Sequence, residues 1–251
     1  ILDLHPPEGV TREGQRGYLN LLNGLNSLHK EQHSQHDELA ARMESYELAY
    51  RMQMEVPGIL DLGNEKESTR EAYGLDDVRT EEFGRRLLLA RRLIERGVRF
   101  VQVYTAGWDS HDYIKRSHTE RIRSVDKPIA SLIKDLKERG LLDETLVVWC
   151  GEFGRTPDNG KRGGGERLGR DHNRHAMPLW MAGGGVKPGV TIGETDDFSY
   201  NIVKDPVHVH DLHATILHLL GVDHTKLTFH YQGRDFRLTD VHGKIIDPIL
   251  A

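Results

Sequence analysis

Three short segments concentrate side chains able to bind a cation or polarise an ester. The first, GWDSHD, places Asp109 and His111 two residues apart. The second, GEFGRTP, carries Glu152 and Arg155, and the third, GRDHN, carries Arg170, Asp171 and His172. Carboxylates gathered in one place repel one another unless a positive charge sits between them. Imidazole and carboxylate together suit Zn²⁺ or another first-row divalent ion, whereas an all-oxygen set leans to Ca²⁺ or Mg²⁺. Asp109, His111 and His172 make a three-ligand set that leaves a position open for water or substrate. Glu152 completes that set or begins a second one. Arg155 and Arg170 supply fixed charges suited to a tetrahedral oxyanion such as phosphate or sulfate. Two of these segments also have a plain structural explanation: Glu152 can cap a turn, and Asp171-His172 can be a surface pair.

The elements that must position these residues are readable from periodicity. Residues 17–55 are helical, with Leu39, Met43, Tyr46 and Tyr50 on one face and Pro57-Gly58 as the stop. Thr80 to Arg96 reads as a helix with Thr80 at its N-cap and Phe83, Leu87, Ala90 and Ile94 as its apolar stripe. Val98 to Tyr104 reads as a strand. Ile122, Val125, Ile129, Leu132, Ile133 and Leu136 mark another helical face, which Pro128 is expected to kink or break. Thr145 to Cys150 suits a fully buried strand, Met177 to Ala182 a further one, and His208 to Leu220 a last helix.

Helix, strand, loop, helix, strand is the grammar of a parallel sheet, with Val98–Cys150 as one right-handed crossover. The expected fold class is therefore α/β: a mostly parallel sheet flanked by helices, in a single domain. A helical region over 1–78 precedes an α/β core over 79–251. In such sheets ligands bind beyond the carboxyl ends of the strands. That rule selects the loops holding Asp109, His111 and Glu152, with the glycine-rich loop of His172 folding back over the same edge.

Composition narrows the function classes. The chain has 251 residues, a net charge of −5 and no basic stripe, which argues against nucleic acid. No apolar run reaches the length that spans a bilayer. A single cysteine, Cys150, excludes an internal disulfide. His208, His210, His213 and His218 read as a solvated face of a helix rather than a metal tract. Lys161 to Gly165 lacks the order and spacing of a phosphate-binding loop.

In order, GWDSHD, TLVVWCGEFGRTP, GRDHN, PLWMAGGGVKPG and HDLHATILHLLG resemble a bacterial protein family of unknown function, number 1501. That family is sulfatase-like and belongs to the alkaline phosphatase superfamily. The likeness runs from about Arg16 to the last residues. It implies an alkaline-phosphatase-like fold, hydrolysis of sulfate or phosphate esters of a small molecule or glycan, and a divalent metal, with Zn foremost and Mn, Fe or Ca as alternatives. Asp109 and His111 look like the Asp and His supplied after a mid-domain strand, and His172 like the late His ligand. Glu152 stands where the superfamily usually has an Asp. Phe153 stands where it commonly has His, which weighs against a full second metal site. The superfamily's early Asp and its nucleophile have no counterpart, so the N-terminal part of the domain is expected to be missing. Family members often carry export signals, which implies an extracytoplasmic location. Two other readings stand beside the enzyme: a non-catalytic binding or scaffold protein, with the long helices over 17–55 as a partner or oligomer surface, and an inactive relative.

Overall fold

The computed structural model describes residues 5–32, 37–159 and 168–251. Lys161 to Gly165 and part of the long helix expected over 17–55 lie outside the described residues. The chain divides into two compact units, Ile1–Glu67 with Arg92–Val101, and Ser68–Arg91 with Gln102–Ala251.

The first unit contains two helices, α1 (Arg12–Gln32) and α2 (Asp37–Leu60). Arg16 ties them by a two-pronged pair with Glu47, its Nη1 donating to Oε2 at 2.7 Å and its Nη2 to Oε1 at 2.5 Å. Its guanidinium also lies 5.0 Å from the Tyr50 ring centroid. Pro57 does not stop α2, which continues to Leu60. The free carbonyls near this end are used by Arg92, which donates to the Gly58 and Asp61 oxygens at 2.7 and 2.8 Å.

The second unit holds α3 (Glu67–Ala72) from Ser68 on, α4 (Glu81–Glu95) as far as Arg91, α5 (Ile114–Glu138) and α6 (Val209–Leu219). The apolar stripe of α4 is buried through Phe83, Leu87, Leu88 and Ala90. Phe83, Leu87 and Leu88 each contribute roughly 1.5–3 kcal/mol by leaving water. Thr80 does not cap α4 with its hydroxyl, which instead donates to the Gly74 carbonyl at 2.6 Å. On α5 the buried line is Val125, Pro128, Leu132 and Leu136, whereas Ile122 is exposed. Pro128 sits within an uninterrupted α5. Arg91 and Tyr73 converge on Asp135 of α5, at 3.2 and 3.0 Å.

The expected parallel sheet is not there. The strands among the described residues are β1 (Val147–Cys150), β2 (Gly154–Arg155), β3 (His172–Asn173), β4 (Leu179–Ala182), β5 (Glu194–Thr195), β6 (Ile202–Lys204), β7 (Thr228–Tyr231) and β8 (Arg234–Arg237). They form four two-stranded antiparallel sheets, pairing β1 with β4, β2 with β3, β5 with β6 and β7 with β8. An α/β fold of alkaline-phosphatase type is therefore corrected to a mixed arrangement of helices and short antiparallel ladders. The segment Val98 to Tyr104 has strand-like composition but forms no strand. A strand exists only where a neighbour takes up its backbone donors and acceptors. The Tyr104 carbonyl accepts instead from Arg86 Nη1 at 2.5 Å, and the crossover to Cys150 does not form. With only β4 beside it, β1 is half-buried rather than enclosed, and Cys150 is exposed. None of the described helices is long and apolar enough to cross a membrane.

Candidate metal centre

Local backbone contacts bring three loops together. Trp108 anchors the first, its indole meeting Trp149 of β1 and His118 of α5 edge-on at 5.8 and 5.6 Å. The Trp108 carbonyl accepts from Arg155 Nη2 at 2.9 Å, which joins the first loop to β2. In the β2–β3 ladder Arg155 is the cross-strand partner of His172. Directly opposed residues of an antiparallel pair lie close enough to interact. The third loop then presses on the first. A Cβ at Gly169 would lie 1.3 Å from the His111 carbonyl oxygen, so only glycine fits there. Next to it, the Arg170 amide donates to that same oxygen at 3.1 Å, and the Ile114 amide to the Leu168 carbonyl at 3.2 Å.

These contacts converge on one atom, Asp109 Oδ1. His172 Nε2 donates to it at 2.7 Å, Arg155 Nη2 donates at 3.0 Å, and His111 Nε2 lies 3.3 Å away. Asp109, His111 and His172 each offer a ligand atom, all within 4.8 Å of one another. Two ligands of a tetrahedral ion with bonds of about 2.0–2.1 Å stand roughly 3.3 Å apart. The His111–Asp109 separation already has that value, and the His172–Asp109 contact would open by about half an ångström as its shared proton leaves. The donor set therefore fits a divalent ion. The hydrogen bond from His172, then that from Arg155, holds the Asp109 carboxyl below its usual range despite an opposing desolvation.

The expected residues divide. Asp109, His111 and His172 come together, and Arg155 joins them. Glu152 is exposed and stands outside the triad. Arg170 is exposed and turns its Nη1 to the Thr156 carbonyl at 3.2 Å. Asp171, read from the sequence as one half of a surface pair, places Oδ1 3.1 Å from His111 Nδ1. That approach is too bent for a hydrogen bond, since His111 Nδ1 is enclosed without one. A small turn of either side chain would make it the carboxylate–imidazole support that metal-bound histidines commonly have. The only sequence signal for this role was a carboxylate adjacent to a candidate ligand. Phe153 packs its ring 4.1 Å from that of His172, which fixes the imidazole from the other side. Beyond it opens a groove of about 720 Å³ whose lining includes Phe153, His172, His175, Tyr200 and Asn201. Arg155 Nη1 is buried without a hydrogen-bond partner among the described residues.

A family model described as "Protein of unknown function (DUF1501)" matches residues 1–250, and the chain belongs to that family. No curated protein and no solved structure matches the chain.

Proposed function

We propose that this chain carries the metal centre of a divalent-metal-dependent hydrolase of sulfate or phosphate esters. The observation that carries the reading is the convergence of Asp109, His111 and His172, with Arg155 braced against the same carboxylate. The order of the sequence motifs, which resembles that of sulfatase-like proteins of the alkaline phosphatase superfamily, supports the choice of ester. The reading rests on the site and on motif order, and owes nothing to a parallel sheet.

A bound divalent ion would supply Lewis acidity and neutralise charge on the transferred group. The chain's own residues do the rest. His111 and His172 offer nitrogen and Asp109 offers oxygen, which leaves a coordination position for water or ester. Asp171 Oδ1, 3.1 Å from His111 Nδ1, would orient that imidazole once a small side-chain turn closes the hydrogen bond. Arg155 holds a guanidinium beside Asp109, a fixed positive charge suited to an anionic oxygen of the ester. The groove beside Phe153 receives the remainder of a small-molecule or glycan ester. An extracytoplasmic location belongs to the same proposal and rests on motif resemblance.

Elemental analysis together with turnover of aryl sulfate and aryl phosphate tests the reading. Protein reloaded with Zn²⁺ is expected to hold an ion at this centre and to release the aryl alcohol, and His172→Ala is expected to lose both. Zinc content unchanged by His172→Ala would remove the basis of the proposal. A second reading has one observation in its favour: Asp109 is already satisfied by hydrogen bonds from Arg155 and His172. A binding or scaffold role then predicts tight metal, or a stable metal-free cluster, with no turnover of either ester.

A further inference from the structure

A second group of imidazoles gathers where α6 begins, built from residues that take no part in the centre above. His208 is the N-cap of α6, and its Nδ1 accepts from the His210 amide at 3.2 Å. Asp211 closes the capping box by accepting from the His208 amide at 2.9 Å through Oδ2. Its other oxygen, Oδ1, accepts from the Lys244 amide at 2.7 Å. The same carboxylate therefore clamps the C-terminal segment against the start of the helix. One turn further along, Thr215 Oγ1 accepts from the Ile246 amide at 3.0 Å and makes a second clamp. Gly243 lets the two backbones close: its φ is +98°, and a Cβ there would stand 3.2 Å from both the His210 carbonyl oxygen and the Ala214 methyl.

The product of these contacts is a trio of rings. The His208 and His210 centroids are 4.8 Å apart, those of His210 and His242 5.4 Å, and those of His208 and His242 6.2 Å. Three imidazoles bound through nitrogen at about 2.0–2.1 Å to one tetrahedral ion have centroids roughly 5 Å apart. The trio straddles that spacing. Its nitrogens are more widely spread than the donors of the Asp109 cluster, which alone among the described residues meet within 4.8 Å. With His208 Nδ1 kept on the His210 amide and its Nε2 left to bind, rotation of the His210 and His242 rings about their Cβ–Cγ bonds would narrow the spread. The exposed position of His242 leaves room for that motion. His210 Nδ1 is buried without a hydrogen-bond partner, a polar atom that ring rotation or an ion would satisfy.

We propose that His208, His210 and His242 form a second, all-nitrogen site for a first-row divalent ion, Zn²⁺ or Cu²⁺. The choice of ion follows from imidazole as the ligand, which suits these metals and not Ca²⁺ or Mg²⁺. The ion would staple the C-terminal segment to α6, adding a third tie to those made by Asp211 and Thr215.

The test uses the full chain bearing His172→Ala, which disables the Asp109 centre and makes the result independent of the hydrolase reading. Cu²⁺ is titrated into metal-free protein and followed by electron paramagnetic resonance, and thermal unfolding is recorded with and without Zn²⁺. One Cu²⁺ per chain with the splitting of several imidazole nitrogens is expected, together with a higher unfolding midpoint in Zn²⁺. His242→Ala and His208→Asn are each expected to weaken binding about tenfold or more and to simplify that splitting. Asn keeps the helix cap, so His208→Asn separates loss of a ligand from loss of the fold. An unchanged spectrum and affinity in both variants, or no stoichiometric Cu²⁺ at all, overturns the proposal.

Discussion

Asp135 and Asp109 both collect donors, in opposite surroundings. Asp135 takes Tyr73 and Arg91 on one oxygen and Arg139 on the other, the last at 2.6 Å. Its side chain is 16% exposed and that of Arg91 only 3%. Burial, then the neighbouring Asp135 carboxylate, pushes the Tyr73 phenol far above its usual range. Asp109 takes His172, Arg155 and His111 on a single oxygen, and its side chain is 68% exposed. In low dielectric a charge must be fully partnered by the protein, and removing one partner is costly. In water the same contacts add little to stability. The buried group therefore holds helices together, whereas the exposed one is free to exchange its protons and hydrogen bonds for an ion.

The sharpest way to break this contrast is to remove the buried carboxylate. Asp135→Ala removes the buried carboxylate that Tyr73, Arg91 and Arg139 share and is expected to cost about 3–5 kcal/mol, measured by urea unfolding. A loss no greater than that of an exposed pair would erase the distinction between the two regions. A smaller effect is expected at Asp171. Asp171→Asn should weaken metal binding at the Asp109 centre by about 10–100-fold, measured by competition with a zinc chelator, while the metal-free protein unfolds at the same urea concentration. Unaltered affinity would show that His111 needs no carboxylate behind it. The smallest effect concerns acid. Because folding lowers the Asp109 carboxyl, its contribution is present above the ordinary aspartate range and fades as pH falls through the lowered value. The stability difference between wild type and Asp109→Asn should therefore shrink toward zero in strong acid. A difference that grew on acidification would reverse the sign assigned to this group.

Local periodicity was a sound guide to helices. The stripe of Phe83, Leu87 and Ala90 and the line of Val125, Leu132 and Leu136 are buried as their spacing demands. It was a poor guide to Val98–Tyr104, where β-branched and aromatic residues describe a segment that would suit a sheet without supplying its partner. The candidate metal centre was legible in part. Asp109, His111 and His172 were identifiable because imidazoles and carboxylates recur in loops. Glu152 carries the same credentials and stays outside, whereas Asp171 stands beside His111. Which loop carboxylate turns inward depends on contacts such as Gly169 against the His111 carbonyl, and residue type does not encode these. The four histidines near α6 show the same limit. His213 and His218 are exposed, as a solvated face requires, whereas His208 and His210 meet His242 from a distant part of the chain.

Residue types and spacing mark which residues could act: the apolar faces of α4 and α5 and the three chemistry-bearing loops. Tertiary structure alone decided that the strands pair antiparallel, that Asp171 rather than Glu152 attends the triad, and that His242 joins α6. The physical reason is range. A helix is recorded in residues three and four apart, because its hydrogen bonds close within the segment. A strand pair or a ligand set is completed by atoms far along the chain, and the same residues serve different partners until the backbone has chosen.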